Sequence, residues 1–235
     1  MENNDKLSYT VRQKIENFLY HYKFHTIAVA FIIFVVLWVV ISSFSQGGEE
    51  TYIGYIGEYA YSHSEAEDIS EKMSRGLKLD FDGDGKFSVA FVPYHYYSDS
   101  QIKDLSTTEL KEGEDLQFYP VLNEKNYEQF EKELEGGSTA VWFVSKEIYD
   151  MMDKSVLMPV ADILGYTPDT GVVGEYAIDC ASLAFSQDMT RTVTYNTYLV
   201  MRATRTYSFI MGEQLADEEL SQAKELYRAI VEYKK

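Results

Sequence analysis

The chain is nearly free of cysteine, with a single one in 235 residues. Cys180 therefore has no second cysteine for an internal disulfide, which excludes the small disulfide-stabilised secreted scaffolds. If the domain is exported, as the membrane segment described below predicts, its lack of disulfides favours a source in a bacterium without an oxidising compartment. Because Cys180 sits in an apolar stretch, we expect a buried structural thiol rather than a nucleophile.

Recognisable catalytic motifs are also lacking. None of the four histidines has the spacing of a zinc site, and no G-x-S-x-G, phosphate-binding loop or H-E-x-x-H is present. Ser221 and Lys224 match S-x-x-K, but the motifs that accompany it in serine enzymes are missing. We therefore expect a protein that is not an enzyme.

Positive charge is scarce. The chain has 21 Lys and Arg against 38 Asp and Glu, which gives a net charge of −17 at pH 7. Such a surface repels phosphate backbones and anionic lipid headgroups, so we exclude nucleic acid as a partner. Cations and neutral or basic ligands are compatible with this charge, and so is a plain role in solubility.

What the chain does have is one long apolar run, residues 26–44. It carries no charge, and as a helix rising about 1.5 Å per residue it would span a hydrocarbon core of roughly 30 Å. We predict a transmembrane helix here, which anchors the protein in the lipid bilayer of the cell membrane.

The flanking charges predict the orientation of this helix. Four basic residues precede it, whereas the first basic residue after it is Lys72. Positive charge stays inside, so residues 1–25 are predicted to be cytoplasmic and the C-terminal part extracellular. A cleaved signal peptide is the alternative, with a weak cleavage site near Ser45, but a basic segment of about 25 residues is long for that role.

The remainder of the chain predicts one extracellular α/β domain. Residues 45–51 are small and polar and are typical of a linker, so we place the domain at 52–235. Segments with strand and helix periodicity alternate along it, which predicts a sheet covered by helices. Strands are expected at 51–59, from residue 87, at 139–144, at 175–185 and at 193–203.

Capping patterns predict where the helices between these strands begin. Ser64 with Glu67 matches a capping box, and apolar residues follow it at helical spacing. A short helix is expected at 146–152, and residues 98–117 are expected to form an irregular polar excursion. The other expected N-caps are Asn123, for a helix that ends at Gly136 and Gly137, and Asp217, for the C-terminal helix.

One short segment has the pattern of a metal site. Residues 80–86, Asp-Phe-Asp-Gly-Asp-Gly-Lys, match the first half of a calcium loop. Its last position holds Phe91 where a calcium loop needs glutamate, so a carboxylate from elsewhere would have to complete the shell. The alternative is a glycine-rich turn with solvated acidic side chains. The expected calcium ligands are Asp80, Asp82, Asp84, the carbonyl of Lys86, and Ser88.

The chain is rich in tyrosine, with 20 residues of this type. Three of them, Tyr94, Tyr96 and Tyr97, cluster around a histidine. Tyrosine offers rigid contact area with a polar tip, which suits the binding of sugars or peptides. We predict these three as ligand-binding residues; the alternative is that their rings pack on the sheet.

Two segments resemble known proteins. Residues 18–26, Phe-Leu-Tyr-His-Tyr-Lys-Phe-His-Thr, resemble the segment before the anchor in membrane-anchored proteins common in Firmicutes. Residues 123–164 resemble part of the extracellular solute-binding proteins of ABC transporters. The resemblance covers a helix with a small-residue end, a buried strand, a short helix and then Leu157-Met158-Pro159-Val160-Ala161-Asp162-Ile163-Leu164. It implies one lobe, or a reduced version, of such a protein and supplies no ligand residues.

Two functional hypotheses account for these features. The first is a membrane-anchored extracellular binding module that presents a small molecule, sugar or peptide near a transporter, with a concave site at the carboxyl ends of the strands. The second is a non-enzymatic accessory or scaffold protein of a membrane complex, with an exposed apolar patch and no deep pocket. An enzyme would require ionisable groups that only the fold brings together.

Overall fold

A computed structural model describes residues 20, 31–35, 49–107, 119–188, 191–203 and 212–234. Residues 31–35 of the predicted membrane segment are helical and exposed; the rest of 26–44 lies outside the described residues, as do 45–48 and all of 1–25 except residue 20. Within the described ranges no helix is both long and apolar enough to cross a membrane. The chain divides into two compact units, Met1–Gly48 and Glu49–Lys235.

One mixed sheet of six strands forms the centre of the second unit. Its strands are β1 (Thr51–Gly57), β2 (Val89–His95), β3 (Val141–Ser145), β4 (Val172–Val173), β5 (Ala177–Asp179) and β6 (Thr197–Met201). In space they follow the order β2-β1-β3-β6-β5-β4. The first three are parallel, and each of the others is antiparallel to its neighbours. The predicted α/β class is confirmed in this form.

Helices cover both faces of the sheet. They are α1 (His63–Leu77), α2 (Asp99–Thr107), α3 (Pro120–Gly136), α4 (Lys146–Met151), α5 (Val160–Leu164), α6 (Phe185–Asp188), α7 (Arg191–Thr194) and α8 (Glu213–Val231). Helices α1 and α8 contribute to a first core with Ile53 and Phe143. Helices α3 and α4 contribute to a second core on the opposite face, with Ile56 and Trp142.

The two cores explain the apolar run at β3. Successive side chains of a strand point to opposite faces, and both faces of this strand are covered. All five residues of β3 are buried. The strand predicted over 139–144 is therefore continuously apolar at 141–144, and the observed strand extends one residue further to Ser145, whose side chain is buried as well.

Gly54 in β1 is required by the second core. A Cβ at this position would lie 2.2 Å from Cε3 of Trp142. The indole packs edge-on against Phe130 at 4.9 Å and stacks on Tyr94 at 5.7 Å between ring centroids. Its Nε1 donates to the carbonyl of Thr139 at 3.0 Å, so the polar atom of this buried ring is satisfied.

Two helix starts differ from the sequence prediction. The capping box of α1 is formed by Ser62 and Glu65, not by Ser64 and Glu67. Both pairs match the same pattern, and Tyr59 Oη donates a further hydrogen bond to Glu65 at 3.0 Å, which favours the earlier start. Helix α3 starts at Pro120, three residues before Asn123, because proline suits the first turn of a helix.

Other local predictions need correction as well. Residues 99–107 form a helix within the irregular excursion predicted over 98–117, whose residues 108–117 lie outside the described part. The strand predicted over 175–185 ends at Asp179, whose carboxylate accepts from the amide of Ala181 at 3.0 Å and turns the chain. The strand at 193–203 is shortened to β6, and α8 begins at Glu213 rather than after Asp217.

Candidate functional site

The carboxyl ends of the parallel strands hold the candidate site. After β1 the chain turns to α1 on the face of the first core, whereas after β3 it enters α4 on the face of the second core. Adjacent strands whose connections leave to opposite faces have a crevice between their ends. Open α/β sheets bind ligands at such a switch point.

Three residues stand side by side at this end of the sheet. His95 of β2 pairs with Gly57 of β1. Ser145 of β3 follows Val144, which pairs with the residue before Gly57. By strand alternation their side-chain positions lie on the face of the first core. We call this region the carboxyl edge; it comprises Tyr55, Gly57, Tyr61, His95, Ser145 and Thr192.

Gly57 leaves room for a tyrosine hydroxyl at the carboxyl edge. A Cβ on Gly57 would lie 2.5 Å from Tyr55 Oη and 3.3 Å from the Cβ of Ser145. The hydroxyl of Tyr55 accepts a hydrogen bond from the amide of Tyr59 at 3.3 Å. The ring of Tyr61 packs edge-on against Tyr55, with 5.0 Å between centroids. The rings of Tyr55 and Tyr61 therefore pack together at the carboxyl end of β1.

Several polar atoms at the carboxyl edge are buried without a hydrogen-bond partner. Ser145 is 4% exposed, and its Oγ makes no hydrogen bond with any residue of the described ranges. Nε2 of His95 and the hydroxyls of Tyr61 and Thr192 are likewise buried and unbonded. The hydroxyls of Tyr61 and Thr192 lie close enough to interact without reaching hydrogen-bond geometry. Unpaired buried polar atoms are uncommon in proteins and call for a water, a ligand or a functional role.

The buried groups of this edge are uncharged near neutral pH. Burial raises the pKa of Tyr55 to about 12, with a smaller contribution from nearby carboxylates, among them Glu58 and Glu147. Burial also raises the pKa of Tyr61. Burial lowers the pKa of His95 below 6.5, against a smaller opposing effect of the Glu58 backbone. The interior thus offers neutral donors and acceptors.

The charged groups beside this edge are already engaged. Both carboxylate oxygens of Glu147 accept from Nδ2 of Asn196, at 3.0 and 3.2 Å. Lys146 Nζ donates to Asp179 at 3.0 Å, and this hydrogen bond is the main reason why the pKa of Lys146 is raised. An anionic ligand would therefore meet the carboxylates of Glu58 and Glu147 and a lysine that is already paired.

At the outer edge of β2, in contrast to the carboxyl edge, the polar groups have hydrogen-bond partners. The outward-facing amide of Val89 donates to Ser74 Oγ at 3.1 Å, and that of Phe91 donates to Ser70 Oγ at 2.9 Å. Both serines lie on α1. The next outward position is Pro93, which has no N–H to donate.

Asparagines of α3 complete this outer edge. Nδ2 of Asn126 donates to the carbonyl of His95 at 2.8 Å. Asn123 accepts from the amide of Tyr97 at 2.8 Å and donates to its carbonyl at 3.0 Å. The residue predicted to cap a helix is thus used instead to bond the chain beyond β2.

The three predicted tyrosines do not converge on one cavity. Tyr94 stacks on Trp142, and Tyr96 packs on Tyr127 at 4.8 Å between centroids. Tyr97 contacts His95, edge-on at 4.7 Å, and is the one nearest the carboxyl edge. The observed packing agrees with the alternative that the rings of Tyr94 and Tyr96 cover the sheet.

The predicted calcium loop lies at the opposite, amino end of the strands. Carboxylate oxygens of Asp80 and Asp82 come within 4.8 Å of one another and of Glu50, a residue that the sequence pattern did not indicate. Asp84 is not in this group; its carboxylate accepts from the amide of Lys86 at 2.7 Å. Three carboxylates in this arrangement could hold a hard cation such as calcium.

Hydrogen bonds within the loop account for the same arrangement without an ion. Asp80 accepts from the amides of Gly83 and Gly85 at 2.8 and 3.0 Å. Glu50 accepts from Phe81 at 2.6 Å and from Ser88 at 2.8 Å, which joins the start of β1 to both ends of the loop. A cavity of about 560 Å³ opens beside Glu50 and Asp82.

Comparison of the chain with protein-family models, curated proteins and solved structures found no match. A fold of this class hosts many unrelated functions, so function is inferred here from the site and its chemistry.

Proposed function

We propose that the chain is a membrane-anchored extracellular binding module that holds a small polar molecule at the carboxyl edge and presents it near a transporter. The observation that carries this proposal is the set of unbonded buried polar atoms at the switch point between β1 and β3. A bound ligand would supply the hydrogen bonds that Ser145 Oγ and His95 Nε2 lack.

The surroundings restrict the ligand. The carboxylates of Glu58 and Glu147 lie close enough to Tyr55 to raise its pKa, so the site favours neutral or cationic molecules over anions. Neutral hydroxyls and an uncharged imidazole can both donate and accept. Sugars and the uncharged parts of short peptides have matching groups.

Thermal melting of the full-length chain in detergent tests this proposal. Neutral monosaccharides, dipeptides and inorganic phosphate are added separately at millimolar concentration. A molecule that binds the native state raises the melting temperature, and phosphate should not. Ser145→Ala should abolish the shift, whereas Ser138→Ala, an exposed serine before the other end of β3, should keep it. A shift that survives Ser145→Ala, or no shift with any probe, would contradict the proposal.

The membrane location is part of the same proposal. It rests on the uncharged run 26–44 and on the charge difference across it. A protease added to intact cells should remove the domain and leave the first 25 residues protected. Protection of the domain would reverse the proposed orientation, and release of the domain into the medium without protease would favour a cleaved leader.

A further inference from the structure

A groove on the face of the second core is separate from the carboxyl edge. It lies between α3 and the turn that follows α4, and its volume is about 260 Å³. Its apolar lining includes Phe130, Leu134 and Met152, which are 0%, 4% and 6% exposed, and Val156. No residue of this lining belongs to the carboxyl edge.

The rim of the groove is acidic. Glu131, Glu135 and Asp153 line it together with Tyr127, and no lysine or arginine lines it among the residues that the structure describes. Asp153 accepts hydrogen bonds from the amide and the hydroxyl of Ser155, at 2.9 and 2.8 Å, and these bonds lower the pKa of its carboxyl.

Two lysines are sequence neighbours of rim residues, Lys132 beside Glu131 and Lys154 beside Asp153. Nζ of Lys154 lies over the ring of Tyr149, 4.8 Å from its centroid. It also donates to the carbonyl of Asp150. The charge of Lys154 makes a small contribution to the lowered pKa of Asp153, so this rim carboxylate is partly offset, whereas Glu131 and Glu135 lie on α3.

We infer that this groove docks a basic, amphipathic segment of a partner protein. An apolar side chain of the partner would lie against the half-buried Tyr127 and Val156, and a lysine or arginine would lie between the carboxylates of Glu131 and Glu135. These two glutamates are one helical turn apart, which is the spacing that a cation on a facing segment can bridge. Amphipathic segments bind acidic-rimmed apolar grooves in this way.

The size and charge of the groove favour this occupant over others. Pockets for whole small molecules measure roughly 300–1,000 Å³, so about 260 Å³ suits an anchoring side chain better. A second copy of the chain would bring another net charge of −17 to an acidic rim. Met152, which is flexible and polarisable, can adapt to the side chain that enters.

The test uses a fluorescent helical peptide with a leucine stripe and a lysine stripe, and the same peptide with glutamate in place of lysine. Binding to the full-length chain in detergent is measured by anisotropy. Glu131→Lys/Glu135→Lys should weaken the lysine peptide about tenfold or more and strengthen the glutamate peptide. The matched control, Glu124→Lys/Glu128→Lys, changes the charge by the same amount on exposed positions of the same helix and should keep the affinity.

A second readout locates the binding. In chain labelled at methionine methyl groups, the Met152 signal should shift when the lysine peptide is added. Equal weakening by both double variants, an unmoved Met152 signal, or no binding at all would overturn the inference. Self-association that the Glu131→Lys/Glu135→Lys variant abolishes would also overturn it, because the occupant would then be a second copy.

Discussion

Polar groups at the outer edge of β2 have hydrogen-bond partners, whereas several polar groups at the carboxyl edge of the sheet have none among the described residues. Along β2, side chains of Ser70, Ser74, Asn123 and Asn126 satisfy the backbone. At the carboxyl edge, Ser145 Oγ is buried and unbonded. Two serines of the same domain therefore differ in their contacts. Ser70 completes a hydrogen-bond network, whereas Ser145 is held by packing alone.

This difference distinguishes polar side chains that stabilise the fold from polar side chains that fit the proposed binding role. An exposed strand edge invites pairing with another chain, and covering its donors with helix side chains or proline closes it. A buried hydroxyl without a partner stabilises nothing in the fold and is costly. Its presence at a switch point is therefore better explained by binding than by stability.

The largest expected effect is at the satisfied edge. Ser70→Ala/Ser74→Ala leaves the amides of Phe91 and Val89 partly buried without acceptors. We expect a loss of about 2–4 kcal/mol in the free energy of unfolding, from two donors at about 1–2 kcal/mol each. Urea denaturation measures it, with exposed Ser64→Ala as the control on the same helix. A loss no greater than that of the control would remove the contrast between the two edges.

Gly57→Ala tests the crowding at the carboxyl edge. The new Cβ would collide with Tyr55 Oη and break its hydrogen bond with the amide of Tyr59. We expect a destabilisation of about 1–3 kcal/mol, typical of overpacking, together with loss of ligand binding. Tyr55→Phe in the same background should recover part of the stability, because it removes the colliding oxygen. If it recovers none, the close approach of Gly57 and Tyr55 is not the cause.

Lower pH should destabilise the carboxyl edge through His95. Burial lowers its folded-state pKa below the ordinary 6.5, so the folded state binds fewer protons than the unfolded state. The stability that depends on a neutral His95 is present above the ordinary pKa of about 6.5 and is lost as the pH falls below that value. The melting temperature of the wild type should therefore fall more than that of His95→Gln between about pH 7.5 and about pH 5.5. Parallel curves would show that the imidazole is not buried in this way.

Ser145→Ala should have a smaller effect of opposite sign to the change on β2. Removing an unbonded buried hydroxyl leaves the unfolding free energy unchanged or raises it by about 1 kcal/mol. Urea denaturation without ligand measures this effect. A clear destabilisation would mean that the hydroxyl has a partner in the folded protein, such as a bound water, and would weaken the proposed role of this atom.

Calcium at the amino end should have the smallest effect. If the carboxylates of Glu50, Asp80 and Asp82 bind calcium, millimolar calcium should raise the melting temperature slightly, and Asp82→Asn should remove the increase. Magnesium at equal concentration serves as the control for ionic strength. An unchanged melting temperature would leave the hydrogen bonds of the loop as the full explanation of its shape.

Much of the fold could be predicted because it depends on periodicity within short segments. Strand β1, helix α1 and the buried strand β3 each carry their own apolar pattern, which one window of sequence contains. Helix starts were less accurate, since Ser62 and Ser64 match the same capping pattern and the packing of Tyr59 distinguishes them. In the antiparallel half, β5 and β6 lie within the strands predicted at 175–185 and 193–203, whereas β4, with two residues, is too short to show alternation and was not predicted.

The candidate site could be predicted only in position. Ligand sites at the carboxyl ends of strands follow from the α/β class, but the residues there come from distant segments, such as Tyr61 and Thr192. The rings of Tyr94 and Tyr96 pack on Trp142 and Tyr127, and their ligand-binding role stays a prediction, because aromatic residues suit cores and binding sites equally well. The spacing of Ser70 and Ser74, at i and i+4, marks the flank of α1 that faces β2.

The position of β1 has a mechanical consequence. This strand is the first element after the segment before Glu49, and it lies between two parallel neighbours along its length. A pull that arrives through the preceding chain would act along the strand axis. The backbone hydrogen bonds that join β1 to β2 and β3 would then be loaded together in shear rather than one after another.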